Sequence, residues 1–223
     1  MCDISSLKIF LYDWAGYNQS LSQIIHSSIT YKPFIMWVRN FTQICNFYYS
    51  PILFGILLII FYGLLRRDKK TAMSRGVLYT KCLLLFGLNM FVAAIVFEVI
   101  KSFFSYSRPY CVPAFNMKEY LLHLFSYPKK ACYSSFPSFH SAYACLLVVS
   151  FWKILNKNLK ITGIIFIFLI GLSRVILGKH FLADVAYACL IALIIINPLN
   201  NLLIAKYFSR YESLVKKFLK KIV

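Results

Sequence analysis

His180 and Asp184 stand four residues apart, so on a helix they share one face. A carboxylate there can accept a proton from one imidazole nitrogen and leave the other as nucleophile or base. A second imidazole, His140, lies in FPSFHSAY beside Ser138 and Phe139, where Pro137 suits the first turn of a helix. Free N–H groups at such a helix start favour an anion. Three cations accompany them: Lys101 and Arg108 in KSFFSYSRP, and Arg174 in GLSRVILGKHFLADV. Fixed cations near apolar sequence with few acids in reach need an anion, and guanidinium matches phosphate oxygens in pairs. Two imidazoles inside a cation cage suggest phosphoryl transfer, one attacking phosphorus and the other protonating the leaving oxygen. A metal held by His140, His180 and Asp184 is disfavoured, because the three cations would repel a divalent ion; no metal or cofactor is expected. The competing reading of His180 and Asp184 is a structural hydrogen-bonded pair between helices.

These residues interrupt a very apolar chain. Of 223 residues 60% are hydrophobic and 14% charged, too greasy for an ordinary soluble domain. Five membrane-length runs are expected as helices, near residues 46–65, 82–104, 136–152, 161–178 and 181–204, the last kinking or ending near Asn197-Pro198. The net charge of +18 does not indicate nucleic-acid binding, because the basic residues cluster at the ends of apolar runs. Residues 1–45 mix aromatic and polar side chains and are expected to form an interfacial amphipathic helix, or simply a packing segment. No cleavable signal peptide is expected. The fold class is therefore all-α: a polytopic membrane bundle of about five spans (46–204) after an N-terminal interfacial segment (1–45) and before a basic tail (205–223).

More than half of the 25 lysines and arginines fall in segments 66–81, 152–160 and the tail from 205, which the five spans place on one side. Those segments are expected in the cytoplasm, and the 102–135 loop and the 174–180 turn on the far side. Lys101, Arg108, His140, Arg174, His180 and Asp184 then converge at that far membrane edge from three separate places in the chain. In the tail, Tyr207, Tyr211, Leu214, Phe218 and Ile222 recur at helical spacing with lysines on the other face, which reads as an amphipathic helix on anionic lipid or as a topology-setting charge cluster. Glu98 is expected to form a plain ion pair, with Lys101, three residues on, or with Arg108. His26 shows no partner at useful spacing, and Lys179 has no assigned role. Cys45, Cys82, Cys145 and Cys189 read as small apolar residues. Cys111 and Cys132 share the 102–135 loop and could form a disulfide in an oxidising compartment.

The pattern Lys101-x6-Arg108-Pro109, then Pro137-Ser138-x-His140, then Ser173-Arg174-x5-His180-x3-Asp184 resembles the type 2 phosphatidic acid phosphatase superfamily. The three motifs occur in order over residues 101–184. The resemblance implies a metal-independent lipid phosphatase in which Lys101, Arg108, Ser138 and Arg174 bind phosphate. It further implies that His180 is the nucleophile, Asp184 orients it and His140 protonates the leaving group. One position departs: Phe139 stands where the family has glycine. Either its ring turns toward lipid and the amide is still presented, which is the expectation, or the pocket is narrowed. The partner implied is a lipid phosphate within a bacterial inner membrane, with no nucleic acid; the chain does not reveal an oligomeric state. Phosphatidic acid, phosphatidylglycerol phosphate, undecaprenyl diphosphate and lipid A are substrates within the family. The extra cations Lys118, Lys129 and Lys130 tilt the expectation to lipid A. Lipid-to-lipid phosphotransfer is the alternative within enzymes. A non-catalytic lipid-binding or transport protein is the alternative outside them, although no paired repeat is visible.

Overall fold

The computed structural model describes residues 17–46, 49–67, 72–103, 108–111 and 134–222, all of them helix, turn or coil. The helices, in chain order, are α1 (Tyr17–Ser28), α2 (Lys32–Thr42), α3 (Ser50–Arg67), α4 (Ala72–Phe103), α5 (Phe139–Phe151), α6 (Lys157–Ile176), α7 (Leu182–Leu190) and α8 (Asn197–Ile222). A π-helical segment, Ile191–Ile196, joins α7 to α8 without a break. Wide turns of this kind absorb a local mismatch in the backbone ladder, here just before Pro198, whose ring cannot donate. Of the kink or end expected near Asn197-Pro198, the end does not occur, and the helix runs on through the tail.

Helix α5 is the axis of the bundle. It packs on α4, α6, α7 and the π segment. Tyr143, Ala144 and Leu146 are fully buried, sharing one core with Phe86, Phe97, Ile170 and Ile196. Because protein surrounds it, α5 needs no membrane length. Its 13 residues span about 20 Å, against about 30 Å of hydrocarbon. It ends at Phe151, and Asn156 starts α6 by accepting the Leu159 amide at 2.9 Å.

Five full spans were expected. Among the described residues three helices are long and apolar enough to cross a membrane, Ser74–Phe103, Lys157–Ile176 and Leu182–Lys220; Pro51–Ile60 and Phe139–Phe151 are shorter apolar helices. Phe91, Phe168 and Ile194 are exposed on these spans, as lipid-facing side chains must be. The chain is an integral, multi-pass membrane protein.

The N-terminal region differs from a single interfacial helix. Its described part forms two helices, and both pack on α6, with α1 also on α7. Tyr31, Met36 and Trp37 remain exposed while Ser22, Val38 and Thr42 are buried. The described helices touch the site-bearing end of the bundle through Ser22 and Thr42.

A polar cluster lies deep between α4, α5 and α8. Asn89 donates to Ser150 Oγ at 2.9 Å and to Asn197 Oδ1 at 3.2 Å, and Asn200 donates to Asn89 Oδ1 at 2.9 Å. Asn89 is twelve residues before Lys101, about 18 Å down α4.

Candidate active site

The turn between α6 and α7 is built by its backbone. The Gly178 amide bonds to Val175 O at 2.8 Å and the Lys179 amide to Arg174 O at 3.1 Å, with Gly178 at φ +62°. This doubly bonded helix end requires a left-handed residue at that point, which glycine adopts without strain. His26 closes the outside: its Nδ1 lies 2.8 Å from Ile176 O, and a Cβ on Gly178 would meet the ring at 2.7 Å. Glycine is thus demanded twice, by conformation and by space. Lys179, unassigned by any motif, contributes its amide here. The turn brings Arg174 and His180 to the same end of the bundle.

Helix α7 starts immediately after. The Leu182 amide bonds to Ser22 Oγ at 3.1 Å, and the Phe181 amide bonds to Asp184 Oδ2 at 2.8 Å. Asp184 therefore caps its own helix as an acidic third residue. Gly171 on α6 lets α7 approach closely, since a Cβ there would meet Val185 at 2.6 Å.

The direct His180–Asp184 hydrogen bond expected from their spacing is not made. His180 Nδ1 lies 2.6 Å from the Ser135 carbonyl oxygen but 3.6 Å from Asp184 Oδ2, so the carboxylate acts on the ring through charge. Asp184 Oδ2 instead accepts a hydrogen bond from the Ser135 hydroxyl. Ser135 thus stands between the two, holding the aspartate with its side chain and the histidine with its backbone. A carbonyl can only accept, so Nδ1 carries the proton and the lone pair is on Nε2. Burial pushes the His180 imidazole down to about 4, with Asp184 opposing the fall and Arg174 adding to it. The ring is neutral at pH 7, as a nucleophile must be.

The expected cations gather around it. Arg174, Lys101, Arg108 and His180 all lie within electrostatic reach of the His140 ring. Arg174 in turn feels Arg108, and Lys101 feels both arginines. Arg108 donates to Ser134 Oγ at 2.8 Å, and Arg174 to Thr42 Oγ1 at 3.1 Å. Yet, among the described residues, Nε of each arginine is buried without a hydrogen-bond partner. Lys101 pairs at 3.7 Å with Glu98, as expected, and that acid is mostly exposed. An unpaired buried guanidinium donor costs free energy, and two facing one cluster mark a place for an acceptor.

Ser138 is placed, but its polar groups are engaged. Its amide bonds to Asp184 O at 3.2 Å and its hydroxyl lies 2.9 Å from Ser141 Oγ, which ties the start of α5 to α7. No side chain caps that start. The Phe139 residue is half-buried. It packs edge-on against Phe97 at 5.9 Å and against Tyr143 at 6.4 Å, inside the bundle.

Cys111 is disulfide-bonded; its expected partner Cys132 lies outside the described residues, as do Lys118, Lys129 and Lys130. Cys45, Cys82, Cys145 and Cys189 are free. Contributors not foreseen include Ser134, Ser135, Ser22, Thr42 and His26. Ser134 and Ser135 adjoin the Pro137-Ser138-x-His140 motif, and small polar residues beside a motif are a usable signal. Thr42 and His26 reach the site over 132 and 150 residues, with no local mark in the sequence.

Comparison with known proteins gives a family and a fold. The PAP2 superfamily pattern matches residues 82–207, more than half of the chain. The crystal structure of Aquifex aeolicus LpxE is similar in fold, with a TM-score of 0.54 and 21% identity over 81% of this chain and 92% of that one. No curated protein matches the chain significantly.

Proposed function

We propose that this chain, which belongs to the PAP2 superfamily of membrane phosphatases, removes a phosphate from a lipid head group through a phosphohistidine on His180. One observation carries the reading. Among the described residues, Arg108 and Arg174 each bury an Nε without an acceptor, beside a neutral His180 whose Nε2 holds its lone pair. Superfamily phosphatases hydrolyse phosphate without a metal, and the chemistry below needs none.

Arg108, Arg174 and Lys101 hold the phosphate oxygens, with the uncapped first turn of α5 supplying partial positive charge. His180 Nε2 attacks phosphorus. The P–O bond to the lipid breaks, and His140, which holds a proton once the bound phosphate offsets the surrounding cations, gives that proton to the departing oxygen. Water, losing a proton to His140, then attacks the phosphohistidine; the N–P bond breaks and inorganic phosphate leaves. Ser135 and Asp184 keep Nδ1 protonated throughout. Ser138 supports this from behind, by joining α5 to α7.

The site sits where α4 leaves its apolar run at Lys101, which favours a phosphate anchored in the bilayer. Lipid A is the substrate we assign first, because Lys118, Lys129 and Lys130 follow Arg108 in the sequence and suit a multiply charged head group. Undecaprenyl diphosphate and phosphatidylglycerol phosphate come next. The lysine and arginine distribution supports a site facing the periplasm of a bacterial inner membrane, with the C-terminus in the cytoplasm.

The test is phosphate release by detergent-purified protein with EDTA present, on lipid A, undecaprenyl diphosphate, phosphatidylglycerol phosphate and phosphatidic acid. Release from one lipid, reduced about 10,000-fold in His180→Ala, is expected. Release unchanged in His180→Ala, or from none of the lipids, overturns the reading.

A further inference from the structure

The end of the bundle opposite the histidines carries a groove that the phosphatase chemistry does not use. Lys81 precedes Lys101 by twenty residues on the unbroken helix α4. That is about 30 Å, the thickness of bilayer hydrocarbon. Lys101 marks the site's membrane edge, so Lys81 marks the other.

Helix α8 runs antiparallel beside it, and Leu85, Ile204 and Phe208 are buried where the two meet. Next to this seam lies an open apolar groove of about 480 Å³. Leu84, Leu88, Leu203 and Ile204 line it within the hydrocarbon, and Tyr207 and Tyr211 stand at its mouth. Those tyrosines are 47% and 58% exposed at head-group level, where amphipathic rings settle.

The mouth is cationic. Lys81 Nζ lies 5.8 Å from the Phe208 ring centre, Lys206 Nζ 5.5 Å from that of Tyr207, and the Arg210 guanidinium 6.0 Å from the same ring. Among the described residues no carboxylate pairs with any of the three. The neighbouring acid, Glu212, is engaged with Lys216 at 2.7 Å.

We propose that this groove binds an anionic phospholipid of the leaflet opposite the histidine site, its acyl chain along Leu84, Leu88 and Leu203 and its phosphate among Lys81, Lys206 and Arg210. An apolar slot ending in unpaired cations at head-group depth is complementary to a lipid that is apolar below and anionic above. A zwitterionic lipid brings an ammonium group to the same cations. A second copy of the chain seated symmetrically would oppose one basic helix with another, an arrangement that like charges disfavour. Under the orientation proposed above, this is the cytoplasmic leaflet.

The experiment titrates delipidated full-length protein in detergent with phosphatidylglycerol or phosphatidylcholine of identical acyl chains, and counts bound lipid by native mass spectrometry. Phosphatidylglycerol is a phosphodiester without a terminal phosphate to lose. One phosphatidylglycerol retained where phosphatidylcholine is not is the expected result. Binding should weaken roughly a hundredfold in Lys81→Gln/Lys206→Gln/Arg210→Gln, at about one kcal/mol for each cation. Leu203→Trp, which fills the slot and leaves the charges, should also abolish retention. Arg174→Gln should bind as the wild type does.

Equal retention of the two lipids overturns the proposal, as does wild-type binding by both the triple variant and Leu203→Trp. Loss of binding in Arg174→Gln would place the lipid in the histidine site. A dimer mass that disappears in Leu203→Trp would assign the groove to a second copy. Either of these also overturns it.

Discussion

Two buried polar clusters interrupt the apolar interior, and they differ in what they do with their donors. Around Asn89 the partners are neutral and answer one another: each amide nitrogen of Asn89 and Asn200 reaches an oxygen, and the Ser150 hydroxyl donates to Leu146 O at 2.6 Å. A single acceptor, Asn200 Oδ1, is left over. Around Arg174 the groups are charged, and donors on two arginines remain unspent. Neutral amides that satisfy each other join helices in a medium without water. Charges that do not are a cost to folding, kept where a ligand completes them. The first cluster is therefore assigned to stability and the second to binding, and substitutions should separate the two.

The largest effect belongs to the charged cluster. Arg174→Gln should lower kcat/KM by about 100- to 1,000-fold, the range for removing one preorganised donor to developing charge. Its melting temperature should be unchanged or higher, because a buried charge with an unfilled donor has gone. Melting well below wild type with near-normal turnover would sink the contrast. Asn89→Ala makes the opposite test. It orphans the Asn200 amide nitrogen, takes the donor from Ser150 Oγ and should cost about 1–3 kcal/mol in denaturant unfolding, with turnover per folded molecule unaltered. A loss of turnover without a loss of stability would show that the inner cluster serves the reaction.

Ser135→Ala sharpens the contrast within the site. It removes the hydroxyl that holds Asp184 and leaves the backbone carbonyl that holds His180. A decrease of about tenfold in kcat, with KM little changed, is expected for a positioning group of this kind. Ser135→Thr should restore most of it, and equal defects in alanine and threonine variants would reduce Ser135 to packing. The smallest effect is one of position on the pH axis. The His180 imidazole, pushed down to about 4 by burial, keeps its lone pair until the pH falls to that level. The acid limb of kcat/KM should therefore lie near pH 4, below the roughly 6.5 of a free imidazole. A limb at the free value would mean that the ring is hydrated before substrate binds.

Much of the site was legible because its signals are local. Lys101, Arg108, His140, Arg174, His180 and Asp184 lie in three short motifs, and spans announce themselves through uninterrupted apolar sequence that no soluble surface tolerates. The same reading misjudged α5, since a 13-residue helix wrapped in protein and a longer one facing lipid look alike in composition. It also expected a kink or an end near Asn197-Pro198, where the π segment lets the helix continue to Ile222.

The amino-acid sequence by itself determined which groups are available for chemistry: two imidazoles, a carboxylate and three cations at the edge of an apolar layer. Only the tertiary structure decided how they are joined. Helical spacing brings Asp184 near His180, but a carbonyl 45 residues away wins the imidazole proton. Thr42 reaches Arg174 across 132 residues, and Phe139 turns its ring to Phe97 on another helix. Spacing sets which side chains can meet along one element. Which donor meets which acceptor depends on how separate elements pack, and no local pattern encodes that.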